Sequence, residues 1–310
     1  MIRAIRGQIG FTLIELLVGM AIALVMLLAT AGVFINTKKA FAFQNAQSEI
    51  AQEGRFGVDM IRRLIGQAGY RAPVTTITSN TANVVPAAVS STPPFTRAVD
   101  YFAASNSLVL RFQSDGSQIG CDGAQIAATT SLQSNWYEVW LTFDSTNNVL
   151  TCGVSNEVNA TSATPPTTWM TKPIDLIGTS DSTNNPSPIK VDSFSPQFGF
   201  DTSQNGALAA GAVGCSYPSN QSGDCLAKAY VNASALNAAP YNATPYEMER
   251  VVTVRVCIQV ETTSNVLPVG QSYSYLACDG TVTTGKTSST SSTLIRSITA
   301  TARLRNLVNA

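Results

Sequence analysis

Residues 10–35 read GFTLIELLVGMAIALVMLLATAGVFI, and the rest of the chain is organised around this run. From Phe11 to Ile35 there is one charge, Glu15. About 20 apolar residues are enough to cross the hydrocarbon core of a bilayer as a helix, so the run predicts a membrane-length helix. A carboxylate at the edge of such a run is costly, and it is tolerable where a cation meets it. Upstream lies a short basic leader, MIRAIRGQIG, with Arg3 and Arg6 and no acid.

The order Gly10-Phe11-Thr12-Leu13-Ile14-Glu15 resembles the processing site of type IV pilins and of type II secretion pseudopilins. The resemblance implies cleavage by a prepilin peptidase between Gly10 and Phe11, with N-methylation of the new Phe11 amine. It also implies that Glu15 sets subunit register by pairing with the N-terminal amine of a neighbouring subunit. Such an amine is the cation that a carboxylate in an apolar setting requires. Arg3 and Arg6 then belong to an addressing signal rather than to a site.

Two other readings fit the apolar run. An ordinary uncleaved anchor needs only its length. A secretory signal peptide finds an A-x-A site in Ala29-Thr30-Ala31, but its apolar region would be longer than the usual 7–15 residues and would contain a glutamate. Loop charge does not settle orientation, because Arg3 and Arg6 before the span are matched by Lys38 and Lys39 after it. The leader resemblance therefore carries the orientation, with the C-terminal head outside the inner membrane.

The 310 residues include 19 basic and 19 acidic side chains, and charged residues make up only 12%. Loss of Arg3 and Arg6 tips the side chains slightly acidic, so no nucleic-acid footprint is expected. Six cysteines, Cys121, Cys152, Cys215, Cys225, Cys257 and Cys278, all lie beyond the apolar run. Outside the membrane an even set reads as disulfides. Fifteen pairings are possible, and local spacing favours Cys121–Cys152, Cys215–Cys225 and Cys257–Cys278. A metal site is a poor fit, since the chain has no histidine and no C-x-x-C pair.

Beyond the span, apolar or small residues recur at Phe43, Ala46, Ile50, Gly54, Gly57, Ile61, Leu64 and Ala68. Gaps of three and four predict an amphipathic continuation of the same helix to about Gly69. Asp59 and Arg63 have the spacing of a helical ion pair. Gly19, Gly32, Gly54 and Gly57 read as weak points, each costing about 1 kcal/mol against alanine. The run GRFGVDMIRRLIGQAGYRAP at residues 54–73 resembles the helix end of PilW-type minor pilins.

The remainder reads as a β-rich head. Strands are predicted at Ser107–Phe112, Trp136–Phe143, Val149–Cys152, Arg250–Val260, Tyr273–Cys278 and Leu294–Leu307. Trp136, Tyr137 and Trp140 form an aromatic cluster that reads either as sheet core or as a sugar- or surface-binding patch. Residues 155–190, rich in proline and hydroxyl side chains, read as a surface loop or a seam between two sub-domains. The run VDSFSPQFGFD at 191–201, with AYVNA at 229–233, again resembles PilW-type chains. The turn from Asp201 through Ser203 and Asn205 to Gly206 echoes the start of a calcium loop. Ala212 stands where the bidentate glutamate would be needed, so an Asx turn explains the same residues.

No nucleophile elbow, P-loop, dinucleotide fingerprint or zinc-helix motif is present, and no cofactor or enzymatic activity is expected. The expected fold class is α+β and type IV pilin-like. Residues 1–10 form a leader, 11–35 a transmembrane and fibre-core half-helix, 36–72 an amphipathic half-helix and 73–310 a disulfide-bonded antiparallel head. The resemblance implies a minor pilin in a priming or tip complex, supporting pilus assembly and pilus-dependent motility or adhesion. Its implied partners are other minor pilins, the major pilin, the prepilin peptidase and the inner-membrane assembly platform. It would be stored in the inner membrane with its head in the periplasm, then moved to the pilus. The alternatives are a minor pseudopilin of type II secretion and a membrane-anchored ligand-binding or adhesive module.

Overall fold

A computed structural model describes residues 12–70, 97–127, 136–156, 164–179, 187–202, 226–236, 248, 251–267, 272–285 and 292–304. Helix α1 runs from Leu13 to Gln67 as 55 unbroken residues, roughly 82 Å at 1.5 Å per residue. It opens on Thr12 and closes through Gly69, whose φ of 77° takes the left-handed position that glycine adopts without strain. Residues 12–42 are exposed throughout. The buried stripe then begins at Ala46 and continues through Ile50, Gly54, Gly57, Ile61, Leu64 and Ala68. The three-and-four spacing thus marks the face that docks. Full burial of Ile61, Leu64 and Ile65 contributes about 2 kcal/mol each.

That stripe meets two antiparallel sheets. The first holds β1 (Val99–Phe102), β2 (Ser107–Gln113), β3 (Trp136–Asp144), β4 (Val149–Ser155) and β5 (Thr171–Ile177), in that spatial order. The second contains β6 (Ile189–Phe200), β7 (Ala229–Asn232), β8 (Val251–Thr262) and β11 (Ile295–Arg303), in the order β11-β8-β6-β7. A separate hairpin pairs β9 (Ser274–Leu276) with β10 (Val282–Thr284). One continuous core joins the helix stripe to the inward faces of both sheets. The helix lies chiefly against β11 and β8 and also touches β5 and β2.

The helix end is tied down by polar bonds as well as by burial. The Gln67 amide grips Ile119 twice, donating to its carbonyl at 3.1 Å and accepting from its N–H at 2.6 Å. Just past the helix, the Gly69 N–H donates to the Arg111 carbonyl and the Gln113 N–H donates to the Tyr70 carbonyl. The loop holding Ile119 is in turn bound to β4 by the Cys121–Cys152 disulfide.

Four sequence-based expectations change. Asp59 approaches Arg62 at 3.9 Å in an exposed pair instead of Arg63, one turn geometry replacing the other. Residues 155–190 contain a strand, β5, which is an edge strand with four successive exposed positions. Its apolar signal is therefore weak, and Pro173 is acceptable because an edge leaves one row of N–H groups unpaired. The aromatic cluster divides by strand alternation: Tyr137 faces the helix-side core, whereas Trp136 and Trp140 lie on the opposite face, and all three are buried. Gly54 and Gly57 are contact points. A Cβ on Gly57 would meet the Ile177 side chain at 2.5 Å, and one on Gly54 would meet Ile298 Cδ1 at 1.9 Å.

Candidate functional site

The N-terminal turn of α1 is built by a capping box. Thr12, in extended conformation, presents its hydroxyl to the Glu15 N–H at 3.4 Å, and its own N–H donates to Glu15 Oε2 at 3.0 Å. Each residue thereby satisfies a donor that helix geometry leaves orphaned. The Thr12 hydroxyl also donates to Oε2, so this oxygen serves the cap, and no bond to Oε1 is formed among the described residues. Gly10 and Phe11 lie outside the described residues. Thr12 went unread in the sequence although Thr12-Leu13-Ile14-Glu15 is a T-x-x-E capping box, a signal that was there to use.

Behind this cap the helix presents an apolar sleeve. Its most apolar stretch is wholly unburied. Leu13, Leu17, Leu24, Leu27 and Phe34 are each more than half exposed. Polar side chains within the sleeve are satisfied locally: the Thr30 hydroxyl donates to the Met26 carbonyl at 3.0 Å, and Thr37 does the same to Val33 at 2.8 Å. Such self-satisfaction is what a helix in hydrocarbon requires. Gly19 and Gly32 have open space where a Cβ would stand. Chemically the arrangement can bind lipid or other helices and can offer one carboxylate to a cation.

The remaining candidates disperse. Disulfides link Cys121 to Cys152 and Cys257 to Cys278, with Cα separations of 5.6 and 5.5 Å; Cys215 and Cys225 lie outside the described residues. Asp201 is buried at the end of β6, whereas Ser203 and Asn205 of the suspected calcium turn also lie outside. Among the described residues no cluster of three metal-ligating side chains occurs.

A buried charge group was missed by sequence reasoning. Arg111, on β2, is fully enclosed; its Nε donates to Glu138 Oε1 at 2.7 Å and its Nη1 to Asp100. Trp140 Nε1 donates to the other Glu138 oxygen at 3.0 Å, and Phe102 stacks on the Trp140 ring at 5.6 Å. The cross-strand register Arg111–Glu138 makes the pair. Burial outweighs the attraction of Arg111 and pushes the Asp100 carboxyl above its ordinary range. This group sits far in sequence from the N-terminal turn and reads as an organiser of the first sheet.

The prokaryotic N-terminal methylation motif matches residues 5–31. Comparison with curated proteins gives no match. Among solved structures the chain resembles a type IV-like pilin of Thermus thermophilus at 11% identity, with 83% of this chain and 96% of that one covered. The TM-score is 0.38, too loose a likeness to carry an argument.

Proposed function

We propose that this chain is a minor pilin of a type IV pilus. The carrying observation is that the methylation motif over residues 5–31 runs without a break into one helix with two environments. Its first half is exposed and apolar, and its second half is buried in a β-rich head. A structural subunit that waits in a membrane and then packs into a fibre needs those two halves on one rod.

On this reading the prepilin crosses the inner membrane once, with its head in the periplasm. The prepilin peptidase cuts between Gly10 and Phe11, and the Phe11 amine is methylated. Glu15, whose Oε1 is left over by the Thr12 cap, meets the amine of a neighbouring subunit and fixes the register of helix stacking. Other minor pilins, the major pilin and the assembly platform are the partners, in a priming or tip complex of the PilW type. The calcium reading of Asp201, Ser203 and Asn205 has no support beyond its spacing.

The test is surface piliation of cells lacking the chain, with sheared fibres probed for the protein. Sparse or absent pili, restored by the wild type and not by a variant blocked at Gly10, is the expected result. Normal pili with defective protein secretion would reassign the chain to a pseudopilin. Normal pili and normal secretion would overturn both readings. In the same assay Glu15→Ala is expected to be cleaved normally yet to be depleted from fibres.

A further inference from the structure

Where it lies on the head, helix α1 carries opposite charge on its two flanks. Gly57 faces Ile177 of β5 and Gly54 faces Ile298 of β11, and these two contacts fix how the helix is rolled. At about 100° per residue, Glu49, Glu53 and Phe56 fall on the β5 side, whereas Arg55 and Arg62 fall on the β11 side. Arg296 joins the second flank, because it alternates along β11 onto the same face as Ile298 and is exposed.

The β5 flank has the parts of a guanidinium receptor. Glu53 and Phe56 line a recess of about 580 Å³ between α1 and the chain that leaves β5 and enters β6. The Glu53 carboxylate is half-buried and accepts from the Ser187 hydroxyl at 3.4 Å. Burial pushes this carboxyl above its ordinary range, and the like charge of Glu49, one turn earlier, adds to the shift. Among the described residues no lysine or arginine lines the recess, and neither Glu49 nor Glu53 makes an ion pair. At the rim Phe56 is 62% exposed. A carboxylate beside an open aromatic ring suits arginine better than lysine, since a planar guanidinium can bond to the one and stack on the other.

The opposite flank supplies the complement. Arg55 and Arg296 are exposed and form no ion pair among the described residues, and Arg62 holds only the exposed Asp59 at 3.9 Å. Rods anchored by the same apolar sleeve stand parallel and at one depth in a membrane. Glu53 and Arg55 are two residues apart, about 3 Å along the axis, so on neighbouring rods they lie at one height. Like flanks would set Glu53 against Glu53, whereas unlike flanks set it against Arg55. We propose that a second copy of this chain docks side by side, the Arg55 flank of one head on the Glu53–Phe56 flank of the next. The contact is heterologous: each docked pair keeps one open flank of either kind, and the row can extend. The inference rests on the reading of the sleeve as a membrane anchor.

The test places two differently tagged full-length copies in one bacterial membrane and cross-links them with a short bismaleimide. One copy carries Gln52→Cys on the β5 flank and the other Ala51→Cys on the β11 flank. Ser145→Cys, exposed in the β3–β4 turn, marks random collision. The unlike-flank pair should cross-link about fivefold above Gln52→Cys with itself and above the collision control, the factor that an exposed ion pair can contribute. Glu53→Arg in the first copy or Arg55→Glu in the second should each abolish the excess, and the two together should restore it. Should Glu53→Arg fail to fold, the exposed Arg55→Glu alone, with loss of the excess in about 1 M salt, reads the same contact. Equal cross-linking of like flanks, or an excess indifferent to charge reversal, would overturn the proposal. Anchored copies that cross-link no better than the collision control overturn the docking alone, whereas recovery of the chain in the soluble fraction would overturn the anchor and the docking together.

Discussion

At the scale of single residues, space and charge carry the most information. Gly57 is where α1 comes closest to β5, and Ile177, which it faces, is 1% exposed and has nowhere to move. Gly57→Ala gains about 1 kcal/mol of helix propensity but forces an overpacked contact costing typically 1–3 kcal/mol. We expect net destabilisation of the head by up to about 2 kcal/mol in urea unfolding, relieved when Ile177→Val is added. Gly54→Ala should cost less, since it meets only the terminal carbon of the partly exposed Ile298. Buried charge works differently. Arg111→Met would leave Glu138 enclosed without its cation and Asp100 with only Arg97 at 3.5 Å, a loss of about 3–5 kcal/mol. Combining it with Asp100→Asn and Glu138→Gln removes the uncompensated charge and should recover most of that loss. Equal unfolding midpoints for the single and the triple variants would contradict this account.

At the scale of elements, what was legible followed burial pattern. The helix showed plainly because its apolar positions keep one period from Phe43 to Ala68, and β8 because Val252, Val254, Val256, Ile258 and Val260 alternate. β1, β5 and β10 were not read. They are short or lie at edges, and their exposed positions dilute the alternation. Arg111 and Glu138 looked like ordinary strand charges, because pairing across two strands 27 residues apart leaves no local signal. The Gly10–Glu15 motif was legible because its residues are contiguous in the sequence. The helix exit also sets a pH response. The Tyr70 hydroxyl bonds to Asp115, which also accepts from the Ser117 N–H and hydroxyl. Hydrogen bonds from Ser117 and Tyr70 hold the Asp115 carboxyl down at about 2, against an ordinary 3.8. Burial and the Asp115 bond push the Tyr70 phenol up to about 12, from 10. The contribution of Asp115 is thus fully present above pH 3.8 and lost as pH falls towards 2. That of Tyr70 is complete below pH 10 and lost as pH rises towards 12. Because the pair is largely exposed, each limb is worth about 1 kcal/mol or less. Asp115→Asn should flatten the acid limb of a stability–pH profile and leave the plateau shape at pH 5–8 unchanged; an unaltered acid limb would contradict the assignment.

At the scale of the whole molecule, the chain is one rod serving two environments, and the boundary between them is sharp. Residues 12–42 are exposed throughout, whereas Ala46 and Ile50 already belong to the core shared with both sheets. Stability of the head should therefore be indifferent to the first half of the rod and dependent on the second. Removing residues 1–35 deletes only exposed helix among the described residues, and surface changes of that kind fall within about 0.5 kcal/mol. It also removes an apolar sleeve far larger than a soluble monomer tolerates, so the shortened chain should be monomeric in plain buffer. Removing residues 1–57 instead takes away Ile50, which is 1% exposed, together with the rest of the upper stripe. A large aliphatic side chain lost from a core costs about 2–5 kcal/mol by itself. Here the apolar surfaces of β8 and β11 would also be uncovered, a combined loss comparable to the 5–15 kcal/mol that holds a domain together. We expect the first truncation to unfold cooperatively at the midpoint of the full chain in urea, and the second to aggregate or to lose its cooperative transition. Should the head melt early when only residues 1–35 are missing, the exposed half of α1 must be a structural part of the head, and the division of labour along the rod would be wrong.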